Sequence, residues 1–210
     1  LYEALGTCAD STLLADRVID GDPLAERYVV QGGDTLGKIA RTYGISDDLI
    51  ARLNGIRNKN HIREGQTLKV LRGPFRVEVD TEAYALEVFL GEGEERSFVR
   101  RYAVGLGQDG STPRGTWVVK TKLVNPTYYP PRGGRIIDAD DPENPLGERW
   151  IGLEGVGGEA VGQQRYGIHG TIEPESIGRN ASLGCIRMYN NDVEHLYEFV
   201  IEQHSTVLVR

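Results

Sequence analysis

Glycine is the residue that most limits what this chain can fold into, filling 27 of 210 positions, about 13% against a usual ~7%. Residues that accept positive φ and let backbones approach closely suit turn-rich β structure better than helical bundles. The length fits one medium domain plus a small module. With 39% hydrophobic residues, a mean hydropathy of -0.38 and no apolar run approaching ~18 residues, the chain as given holds no membrane span. Its 24 basic and 31 acidic residues leave a net charge of -7, which argues against nucleic acid binding through a general basic surface. The chain starts at Leu1 and its only methionine is Met188. The expectation is therefore that a targeting segment is missing, and its absence says nothing about location.

Residues 1–27 combine weak helical spacing at Leu13, Leu14, Arg17 and Val18 with the turn signal Gly21-Asp22-Pro23, and read as a leader or packing arm. From Tyr28 the pattern sharpens. Tyr28-Val29-Val30 predicts a strand, and Asp34 is placed to cap a helix whose apolar face is Leu36, Ile39, Ala40 and Tyr43, stopped by Gly44. Ser46 is placed to cap a second helix with Asp47 and Asp48 in its first turn and Leu49, Ile50 and Leu53 inward, ended by Asn54-Gly55. A strand from Thr67 to Leu71 closes this βααβ unit. Tyr28-Val29-Val30, Gly33-Asp34-Thr35-Leu36, Ile39-Ala40, Leu53-Asn54-Gly55 and Gly65-Gln66-Thr67-Leu68-Lys69-Val70 together resemble the LysM module over its whole length. The resemblance implies binding of glycans containing N-acetylglucosamine, such as peptidoglycan or chitin, along the edge between the first strand and helix and the second helix and strand. Gly37 stands where many such modules carry an aromatic after Thr-Leu, so one sugar contact is absent. From Tyr28 to Leu71, seven basic residues against four acidic ones give +3, which suits an anionic wall surface.

Gly73-Pro74 marks the boundary to a second domain, residues 73–210, after a module of residues 28–72. Alternation then takes over: Phe75, Val77 and Val79, then Tyr84, Leu86, Val88 and Leu90, then a hairpin turn at Gly91-Glu92-Gly93-Glu94, then Phe98, Tyr102 and Val104. Trp117, Val119, Thr121 and Leu123 add a strand. Asn125 to Trp150 holds five of the nine prolines and reads as a long functional loop. A helix from about Asp192 to Gln203 and a strand from Thr206 to Val209 finish the chain. The fold class is α+β, a small βααβ module followed by a mainly β, sandwich-like domain.

The two cysteines, Cys8 and Cys185, could pair in one disulfide, but a chain of this length needs no staple and their settings differ. Cys185 lies in the tight turn Ser182-Leu183-Gly184-Cys185, where Gly184 permits close backbone approach and successive N–H groups can point at one acyl oxygen. His169, in Tyr166-Gly167-Ile168-His169-Gly170-Thr171, lies at a strand end 16 positions earlier. A thiol enzyme needs a nucleophile, a base, an orienting group and oxyanion donors, and this stretch offers all four. Thiolate formation would rest on His169 and on positive charge such as Arg187. The pair brings no CxxC, HxxxH or third ligand, which speaks against zinc. His61, His195, His204 and Cys8 read as solvated or structural.

Ile168-His169-Gly170-Thr171, Ile177-Gly178-Arg179, Ser182-Leu183-Gly184-Cys185-Ile186-Arg187-Met188 and Asn191-Asp192-Val193 resemble the signature of the L,D-transpeptidases, the YkuD-type domain. Val104-Gly105, Thr112-Pro113-Arg114-Gly115-Thr116 and Asn144-Pro145-Leu146-Gly147 extend the resemblance from about Phe75 to Arg210. It implies Cys185 as nucleophile, His169 as general base and acid, and the Gly170 carbonyl as the group orienting the imidazole. Ser182, Gly184 and Arg187 would shape the pocket, with Tyr166 a further substrate-facing residue. It also implies no cofactor, no metal, peptidoglycan stem peptides and glycan as partners, and work outside the cytoplasm, at the wall or in the periplasm. The reaction expected is cleavage of the terminal D-alanine of a stem tetrapeptide and transfer of the acyl group to an amine of a neighbouring stem. An L,D-carboxypeptidase using water on the same site, or a wall-binding protein without activity, are the alternatives.

Overall fold

The computed structural model describes residues 1–93, 96–131 and 133–210. Glu94 of the expected hairpin turn lies outside the described residues. Helices are α1 (Tyr2–Ser11), α2 (Leu36–Tyr43), α3 (Asp47–Leu53) and α4 (Asn190–Phe199). Strands are β1 (Ala25–Val29), β2 (Thr67–Leu71), β3 (Phe75–Asp80), β4 (Ala85–Leu90), β5 (Ser97–Ala103), β6 (Leu106–Gly107), β7 (Gly115–Val124), β8 (Arg149–Gly158), β9 (Tyr166–His169), β10 (Asn180–Ser182), β11 (Ile186–Arg187) and β12 (Thr206–Val209). β1 and β2 form a two-stranded antiparallel sheet, β6 and β10 a parallel pair, and eight strands a sheet of order β11-β9-β8-β7-β12-β3-β4-β5. The chain divides into two compact units, Leu1–Arg76 with Glu87–Arg101 and Glu198–Ile201, and Val77–Leu86 with Tyr102–Tyr197 and Glu202–Arg210.

In the first unit the two short helices pack their apolar faces, Leu36, Ile39, Leu49, Ile50 and Leu53, into a core with Leu68 and Val70 of β2, all buried. The cap of α2 differs from expectation. Thr35 is the N-cap and accepts from Lys38 N at 3.2 Å, because the Asp34 carboxylate is already engaged by Gln31 N at 2.8 Å and Tyr28 Oη at 2.7 Å. Those bonds hold the Asp34 carboxyl below its usual range. Ser46 caps α3 as its position suggests, accepting from Leu49 N at 3.0 Å. β1 begins three residues before Tyr28, paired from Ala25↔Leu71 to Val29↔Thr67. The helix of the first 27 residues is also earlier than the spacing suggested, over Tyr2–Ser11. Residues 12–17 instead curl over the buried Lys69, whose Nζ donates to the carbonyls of Thr12, Ala15 and Arg17 at 3.0, 2.8 and 2.7 Å.

In the second unit β7 pairs with β12 on one side and with β8 on the other, all antiparallel, and β8 pairs with β9. β11 then adds to β9 in parallel, Ile186 opposite Ile168 and Arg187 opposite His169. β8 was not expected from sequence, since Gly152, Gly155, Gly157 and Gly158 erase its alternation. The glycines are there for close approach: a Cβ on Gly155 would stand 1.6 Å from the Ala160 carbonyl oxygen. Trp150, assigned to the proline-rich loop by sequence, belongs to β8. α4 ends at Phe199 rather than near Gln203. Gln203 has φ of 65° and its N–H donates to the Val119 carbonyl, while Glu202 accepts from Lys122 N at 2.6 Å, so the chain leaves the helix to join β7.

Candidate active site

Parallel pairing of β9 and β11 assembles the site. Side chains alternate across a strand, so the buried Ile168 and Ile186 take one face while His169, Arg187 and, one residue before β11, Cys185 take the other. All three line one cavity of about 610 Å³, with Ser182, Leu183, Trp150 and Arg165. Much of its remaining wall comes from the proline-rich segment: Pro126, Thr127, Tyr128, Tyr129, Pro130, Pro131, Pro145 and Leu146. That segment is held by the buried Asn144, whose Nδ2 donates to Pro126 O at 2.8 Å and Asp138 O at 3.1 Å, and whose Oδ1 accepts from Leu146 N at 3.0 Å.

The turn before Cys185 is locked from inside. Ser182 Oγ accepts from Gly184 N at 3.0 Å and donates to Cys185 O at 2.6 Å. Thr112 Oγ1 accepts from Gly107 N and donates to Gly184 O, both at 2.9 Å. Gly184 has φ of 132°, and a Cβ there would stand 2.6 Å from the Tyr166 ring, so only glycine fits. One expectation changes accordingly. The Gly184 N–H is spent on Ser182 and is not free to meet an acyl oxygen. Gly184, Gly170 and Tyr166 do not line the cavity; Tyr166 rests against Trp117, ring centroids 5.2 Å apart, and lines a smaller neighbouring hollow with Lys120 and Glu154.

His169 is 5% exposed, and its Nδ1 donates to the Gly170 carbonyl at 2.6 Å. With the proton on Nδ1, a neutral imidazole keeps Nε2 free to accept. Trp150, directly opposite on β8, stacks on the ring with centroids 5.7 Å apart and planes at 21°. Burial, and to a lesser extent the Arg187 charge, push the His169 pKa down to about 4 against the partial support of the Gly170 bond. Burial pushes the Cys185 thiol up, outweighing the Gly167 backbone and Arg187, which favour the thiolate. Sγ sits 3.9 Å from the Arg165 carbonyl. Both shifts favour the uncharged pair, thiol and neutral imidazole. Arg187 is fixed by Glu173, Nη1 to Oε2 at 2.6 Å.

Trp150 and the loop residue Tyr128 were not singled out by sequence, and Leu146 only within the motif Asn144-Pro145-Leu146-Gly147; they reach the site through strand pairing and the Asn144 bonds. Both cysteines are free, Cys8 exposed. Among the described residues no group of three or more His, Cys, Asp and Glu could hold a metal, and no helix is long and apolar enough to cross a membrane.

Residues 74–209 match the YkuD family model, described as the L,D-transpeptidase catalytic domain, and residues 28–71 match the LysM domain. Among related proteins, YqjB of Bacillus subtilis is 43% identical over 100 residues, 47% of this chain and 53% of that protein, so this match spans about half of its length. YkuD of Bacillus licheniformis is 31% identical over 180 residues, 82% of this chain and 92% of that protein. Among solved structures, L,D-transpeptidase 3 from Mycobacterium tuberculosis in complex with a faropenem-derived adduct gives a TM-score of 0.48 at 13% identity, over 89% of this chain and 92% of that one.

Proposed function

The chain belongs to the L,D-transpeptidase (YkuD) catalytic family and carries a LysM domain, and from that premise we propose that it cross-links peptidoglycan through a Cys185 thioester. The observation that carries the reading is the shared cavity of Cys185, His169 and Arg187, with the His169 Nδ1 proton committed to the Gly170 carbonyl. Cys185 Sγ attacks the carbonyl that joins the third stem residue to the terminal D-alanine, and its proton passes to His169 Nε2. The tetrahedral intermediate collapses as the imidazolium gives that proton to the departing amine of D-alanine, leaving a thioester. An amine of a neighbouring stem attacks the thioester and loses its proton to His169, which returns it to the thiolate. No cofactor enters these steps. The LysM domain holds the glycan, the proline-rich segment covers the stem in the groove, and the work is extracytoplasmic, at the wall or in the periplasm.

Purified disaccharide-tetrapeptide, analysed by mass spectrometry after incubation, tests the reading. A 3-3 cross-linked dimer with loss of D-alanine is expected. Tripeptide alone would make the protein a carboxypeptidase, and an unchanged substrate would make it a wall-binding protein without activity. In a parallel arm, a chitooligosaccharide should compete the protein off purified sacculi; undiminished binding would remove the glycan role from the LysM domain.

The acid limb of activity follows from the buried imidazole. Only neutral His169 can accept the thiol proton, so kcat/KM falls as pH drops through the His169 pKa. With that value at about 4, kcat/KM should hold from neutral pH to near 5 and then decline. A limb centred between 6 and 7, where an ordinary histidine titrates, would contradict the neutral buried pair.

A further inference from the structure

The contact that orients His169 is itself held from behind. One peptide unit joins Gly170 to Thr171: its oxygen accepts from His169 Nδ1 at 2.6 Å, and its N–H donates to Asn190 Oδ1 at 3.0 Å. A peptide unit is planar and rigid, so the carbonyl cannot swing away from the imidazole without also breaking the Asn190 bond. Asn190 opens α4, yet its side-chain oxygen serves a backbone N–H nineteen positions earlier.

The space around that oxygen is closed. A Cβ on Gly170 would stand 2.0 Å from Asn190 Oδ1, and a Cβ on Gly147 would stand 2.1 Å from it. Two separate segments, the histidine loop and the end of the proline-rich wall, thus meet one side-chain oxygen at positions where any side chain would displace it. Asn190 does not line the cavity, and so it can influence chemistry there only through its neighbours.

We infer that Asn190 is a positioning residue for the imidazole: by fixing the Gly170–Thr171 peptide it makes the Gly170 carbonyl select the Nδ1–H tautomer of His169 and leaves Nε2 as the base. The inference rests on the acyl-transfer reading and deepens it. The hydrogen bonds run in one direction, from imidazole N–H through the peptide to the asparagine oxygen, and bonds in such a chain strengthen one another. Aspartate offers the same oxygen at the same reach. Alanine offers none, and serine is too short to meet the Thr171 N–H.

The test compares the full chain with Asn190→Ala, Asn190→Ser and Asn190→Asp in two readouts. The first is the histidine ring nitrogen spectrum of protein labelled with ¹⁵N-histidine, with His169→Gln assigning the signal. It should show one Nδ1–H tautomer in the wild type and in Asn190→Asp, and a mixture with Nε2–H in Asn190→Ala and Asn190→Ser. The second is turnover of the disaccharide-tetrapeptide. The alanine and serine variants should lose about 10- to 100-fold in kcat, the range seen when outer-shell partners that orient metal-bound imidazoles are removed, with KM nearly unchanged and most of the rate kept by Asn190→Asp. A single Nδ1–H tautomer in whichever of the alanine and serine variants folds would overturn the inference, as would a loss confined to KM. The ring spectra need no substrate. Failure of the wild type to turn over the tetrapeptide would therefore strike the acyl-transfer reading while the tautomer comparison still decides the role of Asn190.

Discussion

Replacing Cys185 with alanine is expected to lower release of D-alanine from the tetrapeptide by at least about 10⁴-fold, because enzymes that work through a covalent intermediate lose that much or more when the attacking atom is removed. Little else should change. The Cys185 side chain lies at the wall of the cavity, and its thiol meets the Arg165 carbonyl at a long 3.9 Å and the Gly167 backbone. The turn around it is closed by Ser182, Thr112 and Gly184, none of which bonds to the sulfur. The variant should therefore melt close to the wild type. Cys8→Ala supplies the contrast. That thiol is exposed, and the Ser11 and Thr12 hydroxyls bond to the Cys8 backbone carbonyl, which alanine retains. Its activity should match the wild type. D-alanine release by Cys185→Ala at a comparable rate would end the thioester mechanism.

Gly170→Ala should be the next most damaging change, although it removes no atom. The added methyl would stand 2.0 Å from Asn190 Oδ1 and 3.2 Å from the Leu146 carbonyl oxygen. Neither neighbour can retreat without loss: the first holds the Thr171 N–H, and the second belongs to the wall of the cavity. The loop must shift, and the Gly170 carbonyl shifts with it. Overpacking of this kind costs about 1–3 kcal/mol in stability, and displacing a catalytic group by ~1 Å can cost about 10²-fold in rate. Gly37→Ala is the control, since that glycine lies in α2 and a Cβ there would meet nothing nearer than Arg41 Nη1 at 4.0 Å. Its activity should not change, and its stability should rise slightly because alanine is the better helix former. Unaltered turnover in Gly170→Ala would show that the orienting carbonyl tolerates displacement.

What could be read in advance follows the range over which each signal acts. The two helices and the closing strand of the LysM module are legible because their apolar faces recur at fixed spacing and serine or glycine marks their ends. Asp34 was misread as a cap because Tyr28 and Gln31, which claim its carboxylate, approach only once the chain has turned. β8 was missed because its glycines answer to the Ala160 carbonyl and the Thr121 side chain, contacts that no window of sequence contains. The motifs around His169 and Cys185 stand out because each carries its own turn. Trp150 stacks on His169 only through the pairing of β8 with β9, and Asn190 reaches Thr171 across nineteen positions. Nearby positive charge is visible in the sequence at Arg187, whereas burial, the larger influence on both His169 and Cys185, is set by the folded surroundings.

The central claim, that Cys185 is the sulfur that takes up an acyl group, is tested most directly by the intact-protein mass after incubation with a carbapenem such as imipenem. The strained lactam carbonyl presents the electrophile that an activated thiol attacks. One drug equivalent should add, peptide mapping should place it on the Cys185 peptide, and neither Cys185→Ala nor a wild type already alkylated at Cys185 should gain mass. An adduct on Cys8, or no adduct on protein that still releases D-alanine, would contradict the account.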